Sequence, residues 1–188
     1  MSIDAYTGVK GGGAVAQLYK RLQARQDATW RLIDETYDGC LIRGVPLTHR
    51  PGGVDLVTVT IGGNDLLQNM GQPVEAYRQE FEQSYCRLLG RLQKLGRHKS
   101  RDTGIVTDAT VIVGNIYQPA GFAKGLQAAL DAVNGFIGEK VAAYGFHLAD
   151  IAGAFLGHEG DYLCYGIEPT LKGASVITDL FERAAFGG

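Results

Sequence analysis

The tetrapeptide Gly62-Gly63-Asn64-Asp65 is the part of this sequence whose residue types and order best suit chemistry. Two adjacent glycines let a backbone turn sharply and approach a ligand closely. Asn64 then offers a side-chain amide, a donor that can stabilise a developing oxyanion. Asp65 is placed to cap the segment that follows. The plain structural reading of the same four residues is a strand-to-loop turn. His158, in Gly157-His158-Glu159-Gly160-Asp161, is the histidine in the most open setting. Cys164 beside Tyr165 could pair with it as a nucleophile, although a buried cysteine is the commoner use of that side chain. His49 and His147 lack partners at ligand spacing and read as structural. The run Gly8 to Gly13 (GVKGGG) has neither the GxxxxGK[ST] pattern nor a preceding strand, so it is not a phosphate loop. Cys40, Cys86 and Cys164 are an odd number with no CxxC spacing, which argues against a disulfide framework and a zinc site. A reducing, cytoplasmic setting follows from that cysteine usage. No metal or organic cofactor is expected.

These residues need elements to hold them. Val54-Asp55-Leu56-Val57-Thr58-Val59-Thr60-Ile61 is β-branched and almost continuously apolar, the pattern of a strand buried on both faces of a parallel sheet. It runs straight into the glycine pair, after the turn chemistry of Pro51-Gly52-Gly53. Pro73 opens a long amphipathic helix on which Val74, Tyr77, Phe81, Tyr85, Leu88, Leu92 and Leu95 share a face, with Gly96 as the stop. Residues 97–109 read as a polar linker. TVIVGNI, from Thr110 to Ile116, is a second buried strand closed by Tyr117-Gln118-Pro119. The next helix carries Phe122, Leu126, Leu130, Val133, Ile137, Val141 and Tyr144 on one face, and a short strand spans Phe146 to Leu148. Gly157 to Gly166 reads as a loop. A last helix begins near Pro169 and presents Ala174, Ile177, Phe181 and Ala184. Ahead of the first strand, helices are expected over Ala14–Leu22 and over residues 29–41, where Trp30, Leu32, Ile33 and Tyr37 fall near helical spacing.

Strands alternating with helices of this length give βαβ units and a three-layer α/β/α sandwich on a mainly parallel sheet, flavodoxin-like in plan. Ligands in such folds sit beyond the carboxyl ends of the strands. That is where the Gly-Gly-Asn-Asp turn falls. The 188 residues suit a single domain spanning 1–188. Eighteen basic and twenty acidic side chains leave a net charge of −2, so no basic face invites nucleic acid. No apolar run approaches the roughly 20 residues of a membrane span. Twenty-seven glycines, about twice the usual share, cluster between apolar runs as tight turns at strand ends require.

VDLVTVTIGGNDLL resembles the third block of the SGNH, or GDSL, hydrolases, in which GxND follows a central strand. VIVGNIYQP resembles the later strand and exit of that fold. GIEPTLKGASVITDLF resembles the last block, usually DGIHPNxxGHxxIAxxL. MSIDAYTG looks like the tail of a GDSMSIDxYxG opening, whose serine is the nucleophile. The resemblance implies a serine hydrolase acting on ester bonds through an acyl-enzyme, with a small acyl ester as substrate. It also implies that the serine and the first strand lie just ahead of Met1, with Ser2 two places too late to serve.

Carried over residue by residue, Asn64 matches the oxyanion-hole asparagine. Asp27 stands where the second block, here Arg25-Gln26-Asp27-Ala28-Thr29, should supply a glycine. Tyr165 occupies the aspartate position, Glu168 the histidine position, and Ala174 replaces the histidine of the GH pair. Glutamate is a weak base near neutrality, its ordinary pKa being about 4.3. A redistributed arrangement therefore uses His158 as the base and Glu168 as the carboxylate that orients it, since triads are defined by geometry rather than order. The rival expectation is a catalytically inactive protein that keeps the fold and binds a ligand or partner.

Overall fold

The β-branched run after Gly53 and the apolar run ending at Gly114 pair as parallel strands, the usual use of near-continuous apolar runs flanked by helices. The computed structural model describes residues 4–25, 28–47, 53–69, 72–96, 98–99, 106–121 and 127–187. In chain order they form α1 (Asp4–Thr7), α2 (Ala14–Ala24), a 3₁₀ turn (Ile42–Gly44), β1 (Leu56–Thr60), α3 (Gly63–Gln68) and α4 (Val74–Gly96). There follow β2 (His98–Lys99), β3 (Val106–Thr107), β4 (Thr110–Gly114), α5 (Gln127–Ala143) and β5 (His147–Ala149). The chain finishes with α6 (Ile151–Phe155), α7 (Glu159–Tyr162), β6 (Leu163–Cys164), β7 (Glu168–Pro169) and α8 (Leu171–Phe186). The fold is α/β, with a sheet in the order β1-β4-β5 and the register Leu56↔Thr110 to Thr60↔Gly114 between its first two strands. The chain divides into two compact units, one of residues 40–116 and 128–148, the other of 1–39, 117–127 and 149–188.

In the first unit, α4 lays Phe81, Tyr85, Leu88, Leu89 and Leu92 into a core with Val111 and Val113 of β4. Val133, Ile137 and Val141 of α5 complete it. The spacing of three and four residues predicted this face, and each such side chain contributes about 1.5–3 kcal/mol on burial. Helix α5 stops at Gly145 (φ 71), where Phe146 N–H bonds the Val141 carbonyl at 3.0 Å and Gly145 N–H bonds that of Ala142 at 3.0 Å. That left-handed cap turns the chain into β5.

In the second unit, α2 packs on α8. Leu18 and Leu22 are buried on α2, and Ala174, Ile177 and Phe181 on α8. Arg21 bridges Asp179 at 2.6 Å and Glu182 at 2.7 Å across this pair. Thr178 Oγ1 donates within the same seam, to the Ala14 carbonyl at 3.1 Å. Thr170 caps α8 by accepting from Gly173 N–H at 3.1 Å.

Several expectations need correction. Residues 29–41 form no helix: they are irregular, with Leu32, Ile33 and Tyr37 exposed. Asp34 accepts from the Thr36 N–H at 3.0 Å and its hydroxyl at 2.7 Å, a local bond that competes with helix formation. The stretch Gly157 to Gly166 is not a loop throughout, since α7 and β6 lie within it. The polar linker contains β2 and β3, an antiparallel pair. Strand β1 is shorter than the apolar run, and its side chains are only partly buried, unlike those of β4. Ser2, Asp27, His49, Pro51, Gly52, Phe122 and Leu126 lie outside the described residues, as do Arg97, Ser100 and Arg101 of the basic cluster.

Candidate active site

Beyond β1 the chain turns at Gly62, whose φ of 106 belongs to the left-handed region. A Cβ at that position would stand 3.1 Å from Ile116 Cδ1 and 3.2 Å from Phe81 Cζ. Both the backbone angle and the packing therefore require glycine. Asn64 follows in the first turn of α3, and its Nδ2 donates to the Cys40 carbonyl at 3.1 Å. The amide carries two N–H bonds, and among the described residues one of them is taken. Asp65 does not take the N-cap position, which falls to Gly62. Its carboxylate instead accepts from Ile42 N–H at 3.1 Å. Burial pushes the Asp65 carboxyl above its ordinary value, and the Ile42 hydrogen bond partly offsets the push. The neighbouring strand exit is held by a side chain the sequence did not advertise. Asn134, on α5, accepts from Ile116 N–H at 2.9 Å and donates to the Ile116 carbonyl at 2.8 Å.

The other predicted residues belong to the second unit. His158 precedes α7 and is exposed, its ring stacked on Tyr162 at 5.0 Å between centroids. Lys172 Nζ lies 5.2 Å from the same Tyr162 ring and pairs with Asp161 at 2.8 Å. Glu159, next to His158, accepts from Gly157 N–H at 3.1 Å and from the Gln118 amide. Hydrogen bonds from backbone N–H groups, led by its own, hold Glu159 below its ordinary carboxyl value.

Glu168 stands on β7, paired with Cys164 of β6. The hairpin between them is closed by Ile167 N–H on the Cys164 carbonyl at 3.2 Å. Tyr165 (φ 51) and Gly166 (φ 83) both take left-handed angles, as a type I′ turn demands. Glu168 is half-buried, and burial followed by the Asp38 charge raises its carboxyl above the ordinary value. Tyr117 donates its hydroxyl to the Ile167 carbonyl at 2.8 Å, and burial pushes its phenol far up. Cys164 Sγ donates to the carbonyls of Glu168 at 3.4 Å and Tyr6 at 3.6 Å. Among the described residues no hydrogen bond joins His158 to Glu168, and the histidine's ring partner is Tyr162. The described serines, Ser84 and Ser175, lie inside α4 and α8.

All three cysteines are free thiols. Among the described residues no group of three or more His, Cys, Asp or Glu side chains could hold a metal ion, and no helix is long and apolar enough to cross a membrane.

A mainly parallel sheet wrapped by helices, with a Gly-Gly-Asn-Asp turn beyond its β1 strand, is the plan of the SGNH class of hydrolases. The chain belongs to the GDSL-like lipase/acylhydrolase family, whose family model matches residues 5–176. Solved structures agree on the fold. An acetylxylan esterase from Geobacillus stearothermophilus superposes with a TM-score of 0.72 at 16% identity, over 93% of this chain and 81% of its own. An alpha/beta hydrolase enzyme from the metagenome of Lake Arreo, Spain, gives a TM-score of 0.68 at 22% identity, with the same coverage of 93% and 81%. A member of the lipolytic G-D-S-L family from Veillonella parvula gives 0.67 at 15%, covering 95% of this chain and 91% of that one. No curated protein matches the chain.

Proposed function

We propose that the protein hydrolyses small acyl esters through an acyl-enzyme, with Asn64 as oxyanion donor, His158 as base and Glu168 as the carboxylate that orients the imidazole once substrate is bound. The observation that carries this reading is the placement of Asn64. Its amide is anchored to the Cys40 carbonyl immediately beyond β1, and among the described residues its second N–H has no partner, so it is offered here to the ester oxygen. A serine hydroxyl oxygen attacks the ester carbonyl carbon while its proton passes to His158. The carbonyl oxygen becomes an oxyanion held by Asn64, and the alcohol then leaves with the proton. Water repeats the sequence on the acyl-enzyme and frees the acid. The acetylxylan esterase among the fold neighbours supports a short acyl group. Three free thiols support a reducing, cytoplasmic setting.

The test combines a serine-directed fluorophosphonate probe with hydrolysis of p-nitrophenyl acetate. Stoichiometric labelling and turnover are expected of a longer chain that carries the family's serine-bearing opening block, since the described serines lie inside α4 and α8. Asn64→Ala should cost about 10²–10³ in kcat, the usual loss of an oxyanion donor. His158→Ala should abolish labelling while leaving the fold intact, because the ring is exposed.

A second reading is a ligand-binding protein that no longer cleaves. It is favoured by the stacking of His158 on Tyr162 and by the presence of Tyr165 and Glu168 where the family pattern has aspartate and histidine. A folded chain that carries the opening block yet shows no labelling and no turnover above background selects it.

A further inference from the structure

We propose that Tyr6, Tyr165 and Glu168 form a binding site for a compact alkylammonium group. Tyr165 is 86% exposed, the most exposed of the large hydrophobic side chains described. Its backbone holds a φ of 51, which is costly for an aromatic residue. The ring is thus kept in solvent at the tip of the β6–β7 hairpin. Tyr6 meets it edge-on, with centroids 6.3 Å apart and planes at 68°. The Tyr6 hydroxyl donates to Asp38 at 3.0 Å, which fixes that ring. Two rings at such an angle bound a corner rather than a flat platform. A corner suits a tetrahedral cation, whereas a sugar ring needs one open face.

The charges agree. Glu168 follows the hairpin turn, and no described side chain donates to its carboxylate. Helix α1, which carries Tyr6, packs against β7, and the Tyr6 carbonyl lies 3.6 Å from the Sγ of Cys164, the residue paired with Glu168. Burial and the Asp38 charge make the Glu168 anion uncomfortable, and a bound cation relieves that. Aromatic faces beside an anion recognise ammonium groups by cation–π attraction and direct charge pairing. The site shares Glu168 with the proposed hydrolase, and its cation binding is tested apart from ester cleavage. Where cleavage occurs, it selects esters of amino alcohols.

Binding is measured by following tyrosine ring signals of the full chain by NMR during titration with tetramethylammonium chloride. Sodium chloride, tert-butanol and xylose at equal concentration are the controls. Saturable shifts with tetramethylammonium alone are expected. Tyr165→Gly, which keeps the left-handed turn, should weaken binding about threefold to fivefold, and Tyr165→Phe should leave it unchanged. Glu168→Gln should weaken it about tenfold. An equal response to tert-butanol or xylose, or an unaltered titration in Tyr165→Gly, overturns the proposal. Turnover of acetylcholine against its neutral isostere 3,3-dimethylbutyl acetate separates this idea from hydrolysis itself. Equal turnover of both, without tetramethylammonium binding, removes the ammonium site and keeps the esterase. Tetramethylammonium binding with neither ester cleaved keeps the site and removes the esterase.

Discussion

The Asn64 side chain donates to the Cys40 carbonyl at 3.1 Å, so the residue best placed to bind an oxyanion also ties down the segment that enters the 3₁₀ turn. Removing the amide should therefore affect stability as well as turnover. Asn64→Ala should lose about 1 kcal/mol, the net value of one such bond. Asn64→Asp should lose more, because a carboxylate would face the Cys40 carbonyl as a second acceptor. Urea denaturation of the two variants ranks them, and an Asn64→Asp protein as stable as wild type would contradict the bond's direction.

Gly62 invites a sharper test. Its left-handed φ and the nearness of Phe81 and Ile116 to any Cβ act together. Gly62→Ala should cost about 2 kcal/mol or more. For a protein of this length that lowers Tm by about 4–8 °C. A melting curve matching wild type would show that the turn relaxes freely.

Asp65 makes stability depend on pH in an unusual direction for a carboxylate. Burial raises its folded-state value, so the folded protein binds the proton more tightly than the unfolded chain. Its contribution is then fully present below the unfolded pKa and declines as pH rises through the folded one. Asp65→Asn retains an oxygen acceptor for Ile42 N–H without the buried charge. The variant should melt at or above wild type at pH 7, with the gap closing in acid. A gap that instead widens in favour of wild type as pH rises would reverse the sign.

Tyr85 is fully buried on α4, and among the described residues its hydroxyl has no hydrogen-bond partner. Burial pushes its phenol far above the ordinary value for the same reason. The ring stacks with Phe81 at 5.7 Å and meets Phe136 edge-on at 6.2 Å. Tyr85→Phe keeps both contacts and removes the orphaned oxygen, so a gain of about 1 kcal/mol is expected. Guanidinium midpoints at unchanged slope provide the measurement.

The elements legible in the sequence were those whose periodicity runs long. Phe81, Tyr85, Leu88 and Leu92 declare α4 because a helix repeats its buried face every three or four residues. The glycine pair and Asn64 were legible because a turn of that kind leaves a local signature. Residues 29–41 misled: Trp30 packs edge-on against Phe186, but Leu32, Ile33 and Tyr37 are exposed despite their helical spacing, and Asp34 offers the backbone another partner. The β6–β7 hairpin was hidden by strands of two residues each, too short for any alternation to register. Asn134 was invisible for a different reason. A polar residue in mid-helix looks like solvent-facing surface until the chain brings Ile116, 18 positions away, against it.

The seam between α2 and α8 has a consequence for how the protein is made. Arg21 reaches Asp179 across 158 positions of chain, and Ala14 at the start of α2 meets Thr178 of the same distant helix. At about 5–20 residues per second, a ribosome takes roughly ten to thirty seconds to span that distance. Throughout that interval Leu18 and Leu22 have no packing partner on α8. Meanwhile residues 40–116 and 128–148 can close around their own core. The nascent chain thus carries a closed core together with an amphipathic helix whose apolar face waits uncovered until α8 emerges.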